Sequence, residues 1–212
     1  MVIAIDGPAG AGKSTIARAL AERLGVTYLD SGAMYRSVAL LAVRSGVDPD
    51  SAEAAVPLAQ RLDIGMDGQT ITIAGEDVTA SIRSPEVTAA ASRVSVHRGV
   101  REAMVERQRE LLSHGAWVAE GRDIGTVVYP EAPLKIFLTA SEEERARRRA
   151  AQSGEDEAAV LAAQKERDAR DTEREHGALA AAEDSVEVDT TGLDIDAVLD
   201  EITAIAAERG LA

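Results

Sequence analysis

The feature of this sequence that most constrains its fold is the octapeptide GPAGAGKS at residues 7–14. It matches the pattern G-x-x-x-x-G-K-[ST], follows a short apolar run at Val2–Asp6, and leads into helical spacing that stops at Gly25. Glycines let a chain wrap closely around a phosphate, so that successive backbone N–H groups point at it, and the helix adds its positive N-terminal end. The motif therefore predicts a P-loop that binds a nucleoside triphosphate.

Two side chains of this motif have predicted roles of their own. Lys13 would reach the β- and γ-phosphates, and the Ser14 hydroxyl would bind Mg²⁺, the metal expected with a triphosphate. The sequence thus predicts Mg²⁺ as the cofactor and Ser14 as its protein ligand. The predicted phosphate cradle consists of Gly7, Pro8, Ala9, Gly10, Ala11, Gly12, Lys13, Ser14 and Thr15.

Predicted strands and helices alternate along the chain. Short apolar runs predict five buried strands, at 2–6, 26–29, 116–120, 134–139 and 185–189. Helical spacing lies at 13–24, 31–44, 51–62, 100–112 and 194–209, with further helix starts at Ser84-Pro85 and at the capping box 141–144. Residues 64–78 alternate around Asp67-Gly68, which predicts a hairpin. The pattern predicts an α/β fold whose parallel sheet is covered on both faces, with a small β insertion.

Composition excludes several classes of protein. The net charge is −14, from 37 acidic against 23 basic residues, which argues against binding to nucleic acid or to an anionic membrane. No run of 18 apolar residues suggests a membrane span, and the absence of cysteine excludes disulfides and makes a cytoplasmic location the simplest expectation. All bases but Lys13, Lys135 and Lys165 are arginine. Either codon bias or a local positive pocket would explain that excess.

The P-loop alone does not identify the phosphate acceptor. A GTPase would carry N-K-x-D, which is missing, and a motor ATPase would be larger, with an acidic strand end that residues 118–121 match poorly. Ser31 is predicted to cap a helix, with Arg36 one and a half turns into it, and Arg122 and Asp123 follow a predicted strand at the edge where parallel sheets bind ligands. An ordinary capped helix and a surface turn are the alternatives. The combination favours a kinase of a small phosphorylated acceptor.

Seven segments together resemble the bacterial cytidylate kinase, or (d)CMP kinase, family. They are GPAGAGKS, DSGAMYR, AAS at 90–92, GVR at 99–101, EGRDIGT, VYPEAPLKIFLTAS and KERDARDTER, in family order over nearly the whole chain. The resemblance implies an adenylate-kinase-like P-loop fold, a three-layer sandwich with a five-stranded parallel sheet. It further implies a core at 1–30, 101–144 and 166–212, a β-containing monophosphate-binding insertion at about 31–100, and a helical lid at about 145–165.

The resemblance also implies an activity and a set of site residues. A monomer would transfer the γ-phosphoryl group of ATP to CMP or dCMP, without nucleic-acid or membrane partners. A uridylate/cytidylate or adenylate kinase and, from another class, a nucleotide-dependent switch protein are the alternatives. The implied catalytic residues are Lys13, Arg122, Arg145 and Arg149, and Arg148 and Arg170 would join the cradle in binding ATP. The implied CMP-binding residues are Ser31, Arg36, Ser92, Arg101, Arg122, Asp123, Arg167, Asp171 and Arg174.

Two of these assignments have plain alternatives. Arg145, Arg148 and Arg149 share one helix side and would gather around an anion, unless they pair with the glutamates at 142–144. Arg167 and Asp171 have the spacing of a surface i, i+4 bridge, worth only ~0.3–0.5 kcal/mol. The sequence also departs from the family at 174–179, where Arg-Glu-His-Gly-Ala-Leu replaces Arg-x-x-x-Pro-Leu, which leaves the chain path beyond Arg174 open.

Overall fold

The computed structural model describes residues 1–211, which form two compact units. One unit contains residues 1–29 and the chain from 114 onwards, and the other contains residues 30–113. The helices are α1 (Lys13–Leu24), α2 (Ser31–Arg44), α3 (Ala52–Gln60), α4 (Pro85–Val94), α5 (Arg98–Leu112), α6 (Glu142–Ser153), α7 (Glu157–Thr172) and α8 (Ile195–Glu208). The strands are β1 (Val2–Asp6), β2 (Thr27–Asp30), β3 (Ile64–Asp67), β4 (Thr70–Ile73), β5 (Glu76–Asp77), β6 (Trp117–Glu120), β7 (Leu134–Thr139) and β8 (Val186–Asp189).

A five-stranded parallel sheet forms the centre of the first unit, in the order β2-β6-β1-β7-β8. The register pairs Ile3 of β1 with Val118 on one side and with Leu134 on the other. Because the connection after β1 runs to β2 at one edge of the sheet, whereas the connection after its neighbour β7 runs to β8 at the other edge, the loop after β1 leaves the sheet at a topological switch point. The predicted P-loop α/β fold is confirmed.

Burial on both faces explains why the central strands read as continuous apolar runs. Ile3, Ile5 and Ile136 are almost fully buried in a core cluster that also takes Leu20 from α1 and Ile202 from α8. Helices cover the sheet, so alternation with polar residues would place polar groups in the core. Within residues 1–211, no helix is long and apolar enough to cross a membrane.

The second unit is built from helices and a small antiparallel sheet. Strands β3, β4 and β5 pair in that order, so the predicted hairpin is extended by a third, two-residue strand at Glu76–Asp77. The predicted helix start at Ser84 is confirmed, since its side chain accepts from the Val87 N–H and Pro85 begins α4. The division into core, monophosphate-binding insertion and lid stays a prediction.

Candidate active site

The P-loop takes its shape from the neighbouring strand as well as from its glycines. Gly7 has φ +146°, and a Cβ there would overlap the backbone carbonyl oxygen of Leu138 in β7. Gly10 and Gly12 also have positive φ, at +82° and +89°. The loop can follow this path only with glycine at position 7, because a side chain would separate it from β7.

Lys13 is a buried cation within this loop. Its ammonium donates to the carbonyl of Pro8 at 2.7 Å. Burial lowers the pKa of Lys13 well below its ordinary value, and the positive charge of Arg122 lowers it further. A bound polyphosphate would oppose both effects, because a nearby anion favours the charged form of a lysine.

The first turn of α1 leaves donors available beside the loop. Gly12 caps the helix without a side-chain hydrogen bond, so side chains do not satisfy the early N–H groups. Ser14 and Thr15 are exposed at this end. The helix N-terminus therefore combines free backbone donors with a hydroxyl, which suits a phosphate and its metal ion.

The loop after β6 carries Arg122 and Asp123 and then turns sharply. Gly121 donates to Ile5 at 3.0 Å, the last ladder bond, and a single π-helical turn follows at Ile124–Val128. Arg122 donates through Nε to Asp171 at 2.8 Å, and burial lowers the pKa of Arg122. Asp123 is buried at the start of the turn. The structure thus places Arg122 and Asp123 in the loop after β6, the strand next to the P-loop strand.

On α6 the predicted lid arginines have three different environments. Arg145 is buried and donates to the P-loop carbonyl of Ala9 at 2.9 Å and to Asp168 of α7 at 2.5 Å. Arg148 donates to Glu144 and to the Thr190 carbonyl, at 2.8 and 2.6 Å, so the alternative of glutamate pairing holds for this residue. Arg149 is exposed and has no ion pair within residues 1–211. The gathering of the three guanidinium groups around an anion stays a prediction.

The inner face of α7 is held by ion pairs. Asp171 is 1% exposed and pairs with both Arg122 and Arg174, so the alternative of a surface bridge does not describe it. Arg170 lies within 3.4 Å of Glu166 at the partly exposed side of the helix. Arg167 is half-buried on the same helix. The fold therefore brings together Arg122 and Asp171, which are 49 residues apart in the chain and which join the loop after β6 to α7.

In the second unit, one prediction about the start of α2 is wrong. The helix cap is Asp30, whose side chain accepts from the Ala33 N–H at 2.8 Å, whereas Ser31 is the first helical residue. The same carboxylate pairs with Arg36 at 2.8 Å. Both Ser and Asp are good caps, and Asp30 also gains an arginine partner one and a half turns later. Ser31 is buried.

The remaining predicted residues of this unit lie on two helices. Ser92 is buried on α4. Arg101 is buried on α5, with its guanidinium over the ring of Tyr35 at 5.5 Å. An aromatic face holds an arginine by cation–π attraction while leaving the edge N–H groups of the guanidinium available to other partners. Sequence reasoning missed Tyr35, although it stands next to Arg36 in the DSGAMYR segment.

Sequence reasoning also missed Asp6, the last residue of β1. Its carboxylate is 5% exposed and accepts from the backbone N–H groups of Ile124 and Gly125, each at 2.8 Å. Burial raises the pKa of Asp6 to about 6; Asp123 also raises it, whereas the two N–H donors and Lys13 lower it. The available signal was a single acidic residue closing an otherwise apolar buried strand.

This raised pKa predicts a pH dependence of stability. Because the pKa of Asp6 is about 6 when folded and about 3.8 when unfolded, the folded state binds the proton more tightly, and its stability falls as pH rises between these values. From pH 4 to 7 the wild type should lose on the order of 2–3 kcal/mol of unfolding free energy relative to Asp6→Asn. Urea unfolding of both proteins across this range measures the difference. A difference independent of pH would contradict the prediction.

Comparison with known proteins decides the family. The sequence profile of the family described as cytidylate kinase matches residues 3–208. The chain belongs to the cytidylate kinase family. The resemblance inferred from the sequence segments is thereby confirmed.

Two curated cytidylate kinases match over nearly their whole length, and bifunctional relatives match over part of theirs. A cytidylate kinase of Solibacter usitatus is 50% identical over 99% of this chain and 93% of its own, and one of Pseudomonas aeruginosa is 47% identical over 99% and 96%. A bifunctional pantoate ligase/cytidylate kinase of a Synechococcus species is 50% identical over 98% of this chain, which spans 45% of that protein. The chain thus spans less than half the length of such bifunctional relatives.

Solved structures show the same fold at low sequence identity. A gluconokinase from Sinorhizobium meliloti superposes with a TM-score of 0.53 at 16% identity, covering 98% of this chain and 91% of the other. A protein from Eubacterium ventriosum described as uncharacterized gives 0.58 at 14% identity, covering 98% of both chains. At such identities the likeness describes the fold alone.

Proposed function

We propose that this protein transfers the γ-phosphoryl group of ATP to CMP or dCMP, giving ADP and CDP or dCDP. The observation that carries the proposal is the adjacency of two loops in one unit. The P-loop follows β1, and Arg122 and Asp123 follow β6, the strand paired with β1. A triphosphate and a charged acceptor that bind these loops would meet at one edge of the sheet. The cytidylate kinases among the relatives support the choice of acceptor.

The chemistry needs neither a general base nor a covalent intermediate. The attacking oxygen of a nucleoside monophosphate is already anionic, so catalysis rests on in-line positioning and on neutralising charge in the transition state. Lys13 would bind the β- and γ-phosphates, and Arg122 would bind the acceptor phosphate through its planar fork. Arg149, exposed on α6, is the lid arginine with a guanidinium available for the transferred group. Arg145 stays a proposed catalytic residue, and Arg148 and Arg170 stay proposed contacts of ATP.

The P-loop residues fit a magnesium ion. Mg²⁺ in nucleotide sites is held by one or two protein ligands together with phosphate oxygens and water. Ser14 is exposed at the start of α1, and its hydroxyl has no hydrogen-bond partner within residues 1–211. When bound there, the ion supplies charge neutralisation between the β- and γ-phosphates.

Recognition of cytosine follows from its hydrogen-bonding groups. Its exocyclic amine is a donor, so a carboxylate such as Asp123 accepts from it, whereas uracil would present a carbonyl oxygen to the same carboxylate. Sites built on buried hydrogen bonds reject such a mismatch more strongly than an apolar pocket, which gives only ~1–3 kcal/mol. Ser31, Arg36, Ser92, Arg101, Arg167, Asp171 and Arg174 stay proposed CMP contacts. We also propose that the enzyme works as a monomer in the cytoplasm.

An acceptor panel tests this function. Coupled ADP release should be measured with ATP and each of CMP, dCMP, UMP, AMP and GMP in turn. We expect kcat/KM for CMP or dCMP to exceed that for AMP by at least about a hundredfold, since the site would leave buried groups unpaired with the wrong base.

Each other outcome of the panel has a definite meaning. Rates with AMP equal to or above those with CMP would overturn the cytidylate assignment in favour of another nucleoside-monophosphate kinase. ATP hydrolysis unchanged by any monophosphate would instead indicate a nucleotide-dependent switch protein. Removal of Mg²⁺ with a chelator should abolish transfer in every arm.

A further inference from the structure

One side chain connects the two loops that the proposed function assigns to different substrates. Asp6 directly precedes Gly7, the first residue of the P-loop. Its two carboxylate oxygens each accept one backbone N–H at 2.8 Å, from Ile124 and from Gly125. These two residues directly follow Arg122 and Asp123. A single buried carboxylate thus holds the backbone of the Arg122–Asp123 loop against the end of the P-loop strand.

The sheet itself does not hold this loop. The ladder between β1 and β6 ends where Gly121 donates to Ile5. Beyond it the chain closes a π-helical turn, in which Val128 and Tyr129 donate to Asp123 and Ile124, five residues earlier in each case. The turn leaves the N–H groups of Ile124 and Gly125 directed at Asp6. Asp6 is therefore the contact that continues the strand pairing past Gly121.

Gly125 lies close to the side chains of Lys135 and Asp6. A Cβ at Gly125 would come within 3.1 Å of the Lys135 side chain and 3.4 Å of the Asp6 carboxylate. A side chain at position 125 would therefore press on Lys135 and touch the Asp6 carboxylate. The carboxylate and the glycine thus form two sides of one latch, which we define as Asp6 with the backbone of Ile124 and Gly125.

We propose that Asp6 is a positioning residue that fixes Asp123 for base recognition and so sets the preference of the enzyme for CMP over UMP. The inference rests on the proposed function, in which Asp123 reads cytosine. Because both carboxylate oxygens of Asp6 accept backbone N–H groups, its role is to orient the loop. Charge-assisted hydrogen bonds of this kind are stronger than neutral ones, so an amide is a poor replacement.

The test is the selectivity of Asp6→Asn. An asparagine has one acceptor oxygen, so one of the two N–H groups loses its partner. We expect the ratio of kcat/KM for CMP to that for UMP to fall about 10- to 100-fold, because the lost bonds to a charged group and the displaced loop act on base reading. KM for ATP should stay within about twofold, since residues 7–14 are unchanged.

Selectivity separates positioning from mere destabilisation. A partly unfolded population lowers kcat/KM for CMP and for UMP by the same factor, so unfolding does not change their ratio. Ile202→Val, a destabilising core change on α8, and Asp200→Asn, at the surface pair with Arg23, serve as controls that should keep the wild-type ratio. An Asp6→Asn protein with the wild-type ratio would overturn the proposal.

Two further measurements keep the test decisive. If Asp6→Asn fails to fold, Gly125→Ala perturbs the latch from its other side and should lower the same ratio; an unchanged ratio there contradicts the proposal. If the wild type itself does not distinguish CMP from UMP, the proposed function fails in its base assignment, and amide hydrogen exchange decides on the latch. Faster exchange at Ile124 and Gly125 in Asp6→Asn supports it, and unchanged exchange overturns it.

Discussion

Replacing Lys13 with Ala should lower kcat for phosphoryl transfer by about a thousandfold or more, because the only ammonium in the P-loop is lost from the transition state. The fold should survive. Lys13 is buried, and its lowered pKa reports that its charge is costly where it lies, so removing the ammonium should not reduce the free energy of unfolding by more than about 1 kcal/mol. Coupled ADP release and urea unfolding measure the two quantities.

Lys165→Ala is the matched control for this change. Lys165 is exposed on α7 and pairs with Glu142 at 3.0 Å. The substitution therefore removes one lysine charge, as Lys13→Ala does, but from the surface. Its activity should stay within about twofold of the wild type, since exposed pairs contribute little. Transfer by Lys13→Ala at a tenth or more of the wild-type rate would contradict the assigned role of the P-loop lysine.

Arg145→Ala should lower the free energy of unfolding by about 3 kcal/mol, because it leaves the partly buried Asp168 without its cation and the carbonyls of Ala9 and Ala140 without a donor. Arg145 bonds to Ala9, Ala140 and Asp168, and thereby connects the P-loop with α6 and α7. Arg149→Ala should change stability by less than about 0.5 kcal/mol, since Arg149 is exposed. If Arg149 binds the transferred group, its loss should lower kcat about 10- to 100-fold.

Arg147→Ala provides the comparison on the same helix. Arg147 is exposed and pairs only with Glu144 in the described chain, so both stability and kcat should stay near wild type. Thermal unfolding and steady-state kinetics of the three variants give the answer. Equal stability of the Arg145→Ala and Arg147→Ala proteins would contradict the structural role of Arg145, and wild-type kcat in Arg149→Ala would remove it from the catalytic set.

Local patterns were sufficient to predict most of the fold. The strands β1, β6 and β7 are mostly buried apolar runs because helices cover both faces of the sheet, whereas the edge strands β2 and β8 are only partly buried. The helix limits at Gly25 and Pro85 follow from local backbone preferences. The two-residue strand Glu76–Asp77 was missed as a separate element because two polar residues carry no periodicity. It exists because its backbone pairs with Thr72 and Ile73.

The site was predictable where a motif specifies backbone shape, and not where distant residues meet. The P-loop glycines show in the sequence because their positive φ angles exclude most other residues. The pairing of Arg122 with Asp171 and of Asp6 with Ile124 depends on which strands become neighbours. Arg145 is a further example. Its helical spacing with Arg148 and Arg149 is visible in the sequence, but its hydrogen-bond partners lie on the P-loop and on α7, far away in the chain.

The contact between Gly7 and the Leu138 carbonyl makes the nucleotide cradle an extension of the β-sheet. The register between β1 and β7 sets the position of the Leu138 carbonyl against Gly7 and thereby the shape of the loop. The cradle therefore cannot change shape independently of the core. We therefore expect substitutions in the core next to Leu138 to change the affinity for a nucleotide bound in the cradle, although the substituted residues do not contact that nucleotide. In this protein, core packing and the shape of the P-loop are therefore coupled at Gly7, where no side chain separates the loop from β7.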